Sequence, residues 1–169
     1  MNSPRHERCT TETDPKEIRA FARDLARHGL YVLPCGGGAH PEPRRALRGL
    51  LPRYGRDATA LLSLAALTDF HEVVPCAETR LVAAGVLYHL ADDWLLGHVL
   101  NARRRLLGSE CQPQAREYPD RLGLLEDVIA GVCKRLGKAL PRGIDELDEI
   151  DEFALFWDEP SALESRVQT

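Results

Sequence analysis

The most apolar part of the chain spans residues 81–100 and reads LVAAGVLYHLADDWLLGHVL. The polar side chains within it are His89, Asp92, Asp93 and His98. Pro75 breaks the preceding segment, and proline suits the first turn of a following helix. We therefore predict one long helix over residues 76–107. Because a helix that is apolar nearly all round lies at the centre of a bundle, this helix is expected to form the core of the fold.

The composition of the whole chain favours helices. Its 169 residues include 26 Leu and 19 Ala but only 4 Ile and 9 Val. Leu and Ala favour helices, whereas β-branched residues favour strands. The sequence therefore predicts an all-α protein, a single-domain helical bundle of about five helices around the long central helix.

Three regions follow from the local patterns. Residues 1–13 are polar and are expected to be a mobile tail, and residues 14–143 are expected to form the bundle. Residues 144–169 are expected to form an acidic amphipathic helix that packs on the bundle or on a partner. The start of the first helix is well defined, because Asp14 can cap a helix and Pro15 can occupy its first turn. That first helix is expected to end at Gly29 and to be followed by a short apolar run, Leu30–Leu33, that could be extended.

Several classes of protein are disfavoured by composition. Charged residues interrupt the longest apolar stretch, so no membrane span is expected, and the N-terminus has no apolar signal core. The pI is about 5.9 and aromatic residues make up 6%, which makes nucleic acid an unlikely partner. The five cysteines form no C-x-x-C pair, which indicates reduced thiols in a cytoplasm.

The division of charge supports the leading functional prediction. Residues 144–169 contain nine acidic residues and one basic residue, which leaves 21 basic and 17 acidic residues in 1–143. The nearly neutral net charge of the whole chain is therefore the sum of a positive charge on residues 1–143 and a negative charge on residues 144–169. We predict a non-catalytic accessory or regulatory protein that binds another protein, with a homodimer as an alternative. The expected contact residues combine aromatic anchors with a basic cluster: Phe153, Phe156, Trp157, Arg103, Arg104 and Arg105.

A metal-dependent helical enzyme is the second hypothesis. On one continuous helix, Glu78 and His89 share a face, and Asp92 and Asp93 follow His89 by three and four residues. His71 could approach from the neighbouring helix. Imidazole and carboxylate groups are ligands for Zn, Fe or Mn, which could activate water for hydrolysis or manage oxygen chemistry. The competing interpretation is that this stripe is simply the solvent face of the helix.

Arg23 and His28 form an R-x-x-x-x-H string on the first predicted helix. This string resembles the catalytic string of the HEPN family of helical ribonucleases, over six residues of the chain. The resemblance implies that Arg23 and His28 would meet at a dimer interface and cleave RNA by acid–base chemistry. A ribonuclease or RNA-binding module that uses these two residues is therefore the third hypothesis. In that family a polar residue usually follows the arginine, and in this chain the residue after Arg23 is Asp24. The alternative is a surface arginine and a histidine favoured by the dipole at a helix C-terminus.

Overall fold

The computed structural model describes residues 13–32, 39–69, 74, 76–108 and 119–144. Within these ranges the chain forms six α-helices and one two-stranded antiparallel sheet. In chain order the elements are α1 Pro15–Gly29, β1 Leu30–Val32, β2 Ala39–Pro41, α2 Pro43–Tyr54, α3 Arg56–Leu67, α4 Ala77–Leu90, α5 Asp93–Leu107 and α6 Pro119–Leu136. The predicted all-α bundle is confirmed, although the described residues form six helices where about five were expected. The predicted tail and the predicted acidic helix lie outside the described residues, apart from Thr13 and Ile144.

Helix α1 begins and ends where the sequence predicts. The Asp14 carboxylate accepts a hydrogen bond from the backbone N–H of Lys16 at 2.9 Å, and Pro15 occupies the first turn. This arrangement satisfies one of the backbone donors that a helix N-terminus leaves without an intrahelical partner. The apolar positions, spaced at helical intervals, are buried as one stripe: Ile18, Phe21, Ala22 and Leu25.

The predicted long helix over 76–107 is wrong, because the structure divides it into α4 and α5. Helix α4 ends at Leu90, Ala91 is extended, and the Asp92 carboxylate caps α5 by accepting a hydrogen bond from the N–H of Leu95 at 2.9 Å. Two arginines hydrogen-bond to carbonyls that the end of α4 exposes. Arg56 donates to the Leu90 carbonyl at 2.9 Å, and Arg135 donates to the Tyr88 carbonyl at 2.7 Å. The break is therefore stabilised by side chains distant in sequence, which periodicity cannot reveal.

Helices α2 and α3 follow one another closely. Helix α3 starts at Arg56 and ends at Leu67. Helix α2 continues to Tyr54, with Pro52 inside its last turn. The extended run after α1 is confirmed, and β1 pairs with β2 so that Leu30 faces Pro41 and Val32 faces Ala39.

The core lies where α4 packs against α1, α2 and α3, while α5 packs against α6. Its largest fully buried side chains are Phe21, Ile18, Leu25, Leu50, Leu67, Leu87, Leu95, Leu106, Leu125 and Ile129. Gly29 permits the closest approach. A Cβ atom there would lie 2.9 Å from the Ala46 Cβ and closer still to Val82. None of the described helices has the length and apolar character needed to cross a membrane.

Candidate functional site

The break between α4 and α5 separates the residues of the predicted metal stripe. Glu78 lies in the first turn of α4 and His89 in its last turn, whereas Asp92 and Asp93 belong to the start of α5. The premise that one helix face carries all four is therefore wrong. His71 lies outside the described residues. Among the residues that are described, no three His, Cys, Asp or Glu side chains are grouped so that they could hold a metal ion.

The two aspartates of that stripe have partners of their own. Asp92 caps α5 and forms an ion pair with Arg56. The Asp93 side chain is 78% exposed, and its carboxylate lies 3.3 Å from the Lys138 ammonium group. Asp93 therefore faces solvent, which matches the competing interpretation of this position.

The two residues of the ribonuclease-like string lie on α1 in different surroundings. Arg23 is exposed, whereas His28 is half-buried in the last turn. The His28 ring packs on Gly49 of α2 so closely that a Cβ at Gly49 would lie 2.6 Å from the ring Cγ. Since packing of α1 on α2 accounts for the position of His28, the ribonuclease hypothesis stays a prediction.

The three consecutive arginines at the end of α5 do not act as one cluster. The Arg103 guanidinium is mostly buried, lies 3.4 Å from the Glu126 carboxylate, and donates to the Arg142 carbonyl at 3.4 Å. Arg104 is exposed, and Arg105 is half-buried with its Nε atom enclosed. Arg103 thus ties α5 to α6 and to the turn after it, and Arg104 is the arginine of this group most available to a ligand. The predicted aromatic anchors, Phe153, Phe156 and Trp157, lie outside the described residues.

A cleft opens beside these arginines. It has a volume of about 460 Å³ and lies between the last turns of α5 and the turn that follows α6. Its lining mixes alkyl and cationic side chains: Leu100, Arg103, Arg104, Leu107, Gly108 and Pro141. Leu107 is 43% exposed, although it is a large apolar residue. This cleft can therefore bind a ligand that has an apolar group with negatively charged groups beside it.

A second exposed feature lies at the other end of α5 and was missed by the sequence analysis. Trp94 is 40% exposed. The Arg56 guanidinium lies over its ring at 5.7 Å from the centroid, and the His98 ring meets it edge-to-face at 4.6 Å. The sequence placed Trp94 within the apolar centre of the predicted long helix. The Asp92-Asp93 doublet just before it is the signal that could have indicated a helix start, and hence an exposed tryptophan.

Charged side chains are also buried between α4 and α6. Arg121 is 4% exposed, and the Asp69 carboxylate accepts a hydrogen bond from the N–H of Val74 at 3.1 Å. Arg80 donates to the Val74 carbonyl at 3.4 Å. Burial, followed by the nearby charge of Arg121, lowers the pKa of the Arg80 guanidinium. Arg80 also lies 3.9 Å from the Asp120 carboxylate, which joins the start of α4 to the start of α6. The sequence analysis did not single these residues out, because isolated charged residues form no recognisable motif.

Helix α5 therefore carries both exposed candidate features, the Trp94 cluster near its start and the cleft near its end. We compared the whole chain with protein-family models, curated proteins and solved structures, and none of these comparisons found a match.

Proposed function

We propose that this chain is a non-catalytic accessory or regulatory protein that binds another protein through the outer face of α5. The observation that carries the proposal is Trp94, an exposed tryptophan held between an arginine and a histidine. Tryptophan and arginine are enriched among the residues that dominate binding energy at protein interfaces. The five cysteines without a C-x-x-C pair support a reducing compartment such as the cytoplasm as the place of action.

The contacts around Trp94 favour binding because they fix the orientation of its indole ring in the unbound protein. Arg56, which stacks on the ring, is itself fixed by the Leu90 carbonyl and by Asp92. A side chain that is already ordered loses less conformational entropy when it is covered. The ring therefore offers a large apolar area in a defined orientation.

The neighbouring surface leaves room for a partner. Gly97, one turn after Trp94, is exposed, and a Cβ there would meet nothing within 4 Å. Asn101, two turns after Trp94, continues the exposed face of α5. Since a helix rises about 1.5 Å per residue, the exposed face from Trp94 to Asn101 is about 10 Å long. A partner helix or strand can cross α5 there.

The experiment compares Trp94→Ala with Leu61→Ala. Leu61 is a matched control because it is 37% exposed and lies on α3. Each tagged protein is incubated with lysate of the cells that produce it, and captured proteins are quantified by mass spectrometry. We expect a protein that the unmodified chain and Leu61→Ala retain and Trp94→Ala loses. Loss of an interface tryptophan costs about 2 kcal/mol, which is about thirtyfold in affinity.

Sedimentation velocity of the same three proteins tests whether the partner is a second copy of this chain. A dimer that Trp94→Ala dissociates would identify the homodimer as the bound form. If the unmodified chain, Trp94→Ala and Leu61→Ala all capture the same proteins in the same amounts and sediment alike, the proposed role of α5 is wrong.

A further inference from the structure

The cleft at the end of α5 lies close to the last of the described residues. Pro141 lines the cleft, and Ile144, three residues later, is buried with its N–H bonded to the Pro141 carbonyl at 3.2 Å. Arg103, another lining residue, holds this turn by donating to the Arg142 carbonyl. Ile144, the last described residue, is therefore held beside the cleft.

Residues 145–157 carry negatively charged and aromatic side chains that complement the cleft. Residues 145–152 contain six acidic residues, and Phe153, Phe156 and Trp157 come directly after them at helical spacing. The cleft offers cationic groups from Arg103 and Arg104 beside an apolar surface. The negative charge of residues 145–152 therefore complements the arginines of the cleft, and the aromatic residues that follow complement its apolar surface.

We propose that residues 145–169 dock into this cleft of their own chain, with an aromatic side chain of the 153–157 stretch against Leu100 and Leu107 and with carboxylates facing Arg104. A segment attached next to its site has an effective concentration in the millimolar range, so even a weak contact keeps the cleft occupied. The proposal is independent of Trp94, because the cleft lies at the opposite end of α5.

Tryptophan fluorescence tests the proposal, because Trp94 and Trp157 are the two tryptophans of the chain. In the full-length Trp94→Phe protein, Trp157 is the sole reporter. We expect its emission to be blue-shifted, and its quenching by acrylamide to be several-fold weaker, relative to the same protein unfolded in concentrated urea. Adding Arg104→Glu or Leu107→Glu is expected to return both readings towards the unfolded values. Both positions are exposed, and circular dichroism of each variant checks that the bundle is folded.

Arg19→Glu in the same Trp94→Phe background is the matched control, because Arg19 is exposed on α1. It is expected to leave the emission of Trp157 unchanged. Raising the salt to about 1 M, where the Debye length is about 3 Å, is expected to weaken docking and increase quenching.

Three results would overturn the proposal. Trp157 could be as accessible in the folded protein as in urea, or it could be buried but insensitive to both cleft substitutions. Burial that grows with protein concentration would assign the cleft to a second copy instead. Each of these results leaves the capture experiment on Trp94→Ala unaffected, so the two proposals fail separately.

Discussion

The Asp24 carboxylate on α1 accepts a hydrogen bond from the Tyr54 hydroxyl at the end of α2, thirty residues later in the chain. Asp24 is buried, and the Arg53 guanidinium donates to the same carboxylate at 3.4 Å. The Tyr54 ring also meets Phe21 edge-to-face, with the centroids 5.1 Å apart. This contact joins α1 to α2 and gives a buried negative charge its partners.

Removing the Tyr54 hydroxyl is expected to destabilise the protein. Tyr54→Phe keeps the ring on Phe21 but leaves the buried Asp24 carboxylate with one donor fewer, which costs about 1–3 kcal/mol of unfolding free energy. Urea unfolding followed by circular dichroism measures this. Tyr31→Phe is the control, because the described contact of Tyr31 is the stacking of Arg45 on its ring, which phenylalanine retains. Equal stabilities of the two variants would contradict the role of the hydroxyl.

The same contact predicts a dependence of stability on pH. Burial, followed by the hydrogen bond to Asp24 and its negative charge, raises the pKa of the Tyr54 hydroxyl. The folded protein therefore holds this proton more tightly than the unfolded chain does. The stabilisation is complete below the unfolded pKa of about 10 and is lost as the pH rises through the folded pKa.

Comparison with Tyr54→Phe isolates this effect from the other titrating groups. The difference in unfolding free energy between the unmodified protein and Tyr54→Phe is expected to be constant near neutral pH and to shrink above about pH 10. Urea unfolding at a series of alkaline pH values measures it. A difference that stays constant or grows with pH would show that the hydroxyl is not held as described.

The division between α4 and α5 predicts unequal effects for two adjacent aspartates. Asp92→Ala removes the cap of α5 and is expected to cost about 1–2 kcal/mol of unfolding free energy. Asp93→Ala removes an exposed ion pair with Lys138 and is expected to cost about 0–1 kcal/mol. Thermal and urea unfolding of both variants measure the contrast. Two equal losses would argue for a continuous helix in which neither residue is a cap.

Two glycines are expected to respond in opposite directions to alanine. Gly29→Ala forces a methyl group against Ala46 and Val82 and is expected to cost about 1–3 kcal/mol, because the close packing there leaves no space. Gly97→Ala places the same methyl group in open space within α5. It is expected to stabilise the protein by about 0.5–1 kcal/mol, since alanine favours a helix over glycine. Urea unfolding distinguishes them, and destabilisation by Gly97→Ala would contradict the described exposure.

Local signals in the sequence predicted the helical elements that carry their own end markers. Asp14 with Pro15 opens α1, as expected. Such signals predict helix ends because a capping side chain or a proline constrains the backbone within one turn of its own position. The start of α5 has such a marker in Asp92, but the long apolar run around it favoured a single helix.

The candidate site was less predictable than the fold. Arg103, Arg104 and Arg105 appear equivalent in the sequence, yet Arg103 is held by Glu126 and the Arg142 carbonyl while Arg104 is exposed. Helical periodicity cannot distinguish them, because their exposure depends on where α6 and the following turn pack against α5.

The sequence by itself determined the helical class and the position of the best-capped helices, because Leu- and Ala-rich composition and capping act locally. Only the tertiary structure decided that the chain breaks at Ala91, that Trp94 is exposed and that a cleft forms beside Pro141. The physical reason is that these features depend on contacts between residues distant in sequence, which leave no periodic signal. Arg56 and Arg135, from α3 and α6, hydrogen-bond to the carbonyls at the end of α4, and Arg103 donates to the Arg142 carbonyl beside the cleft.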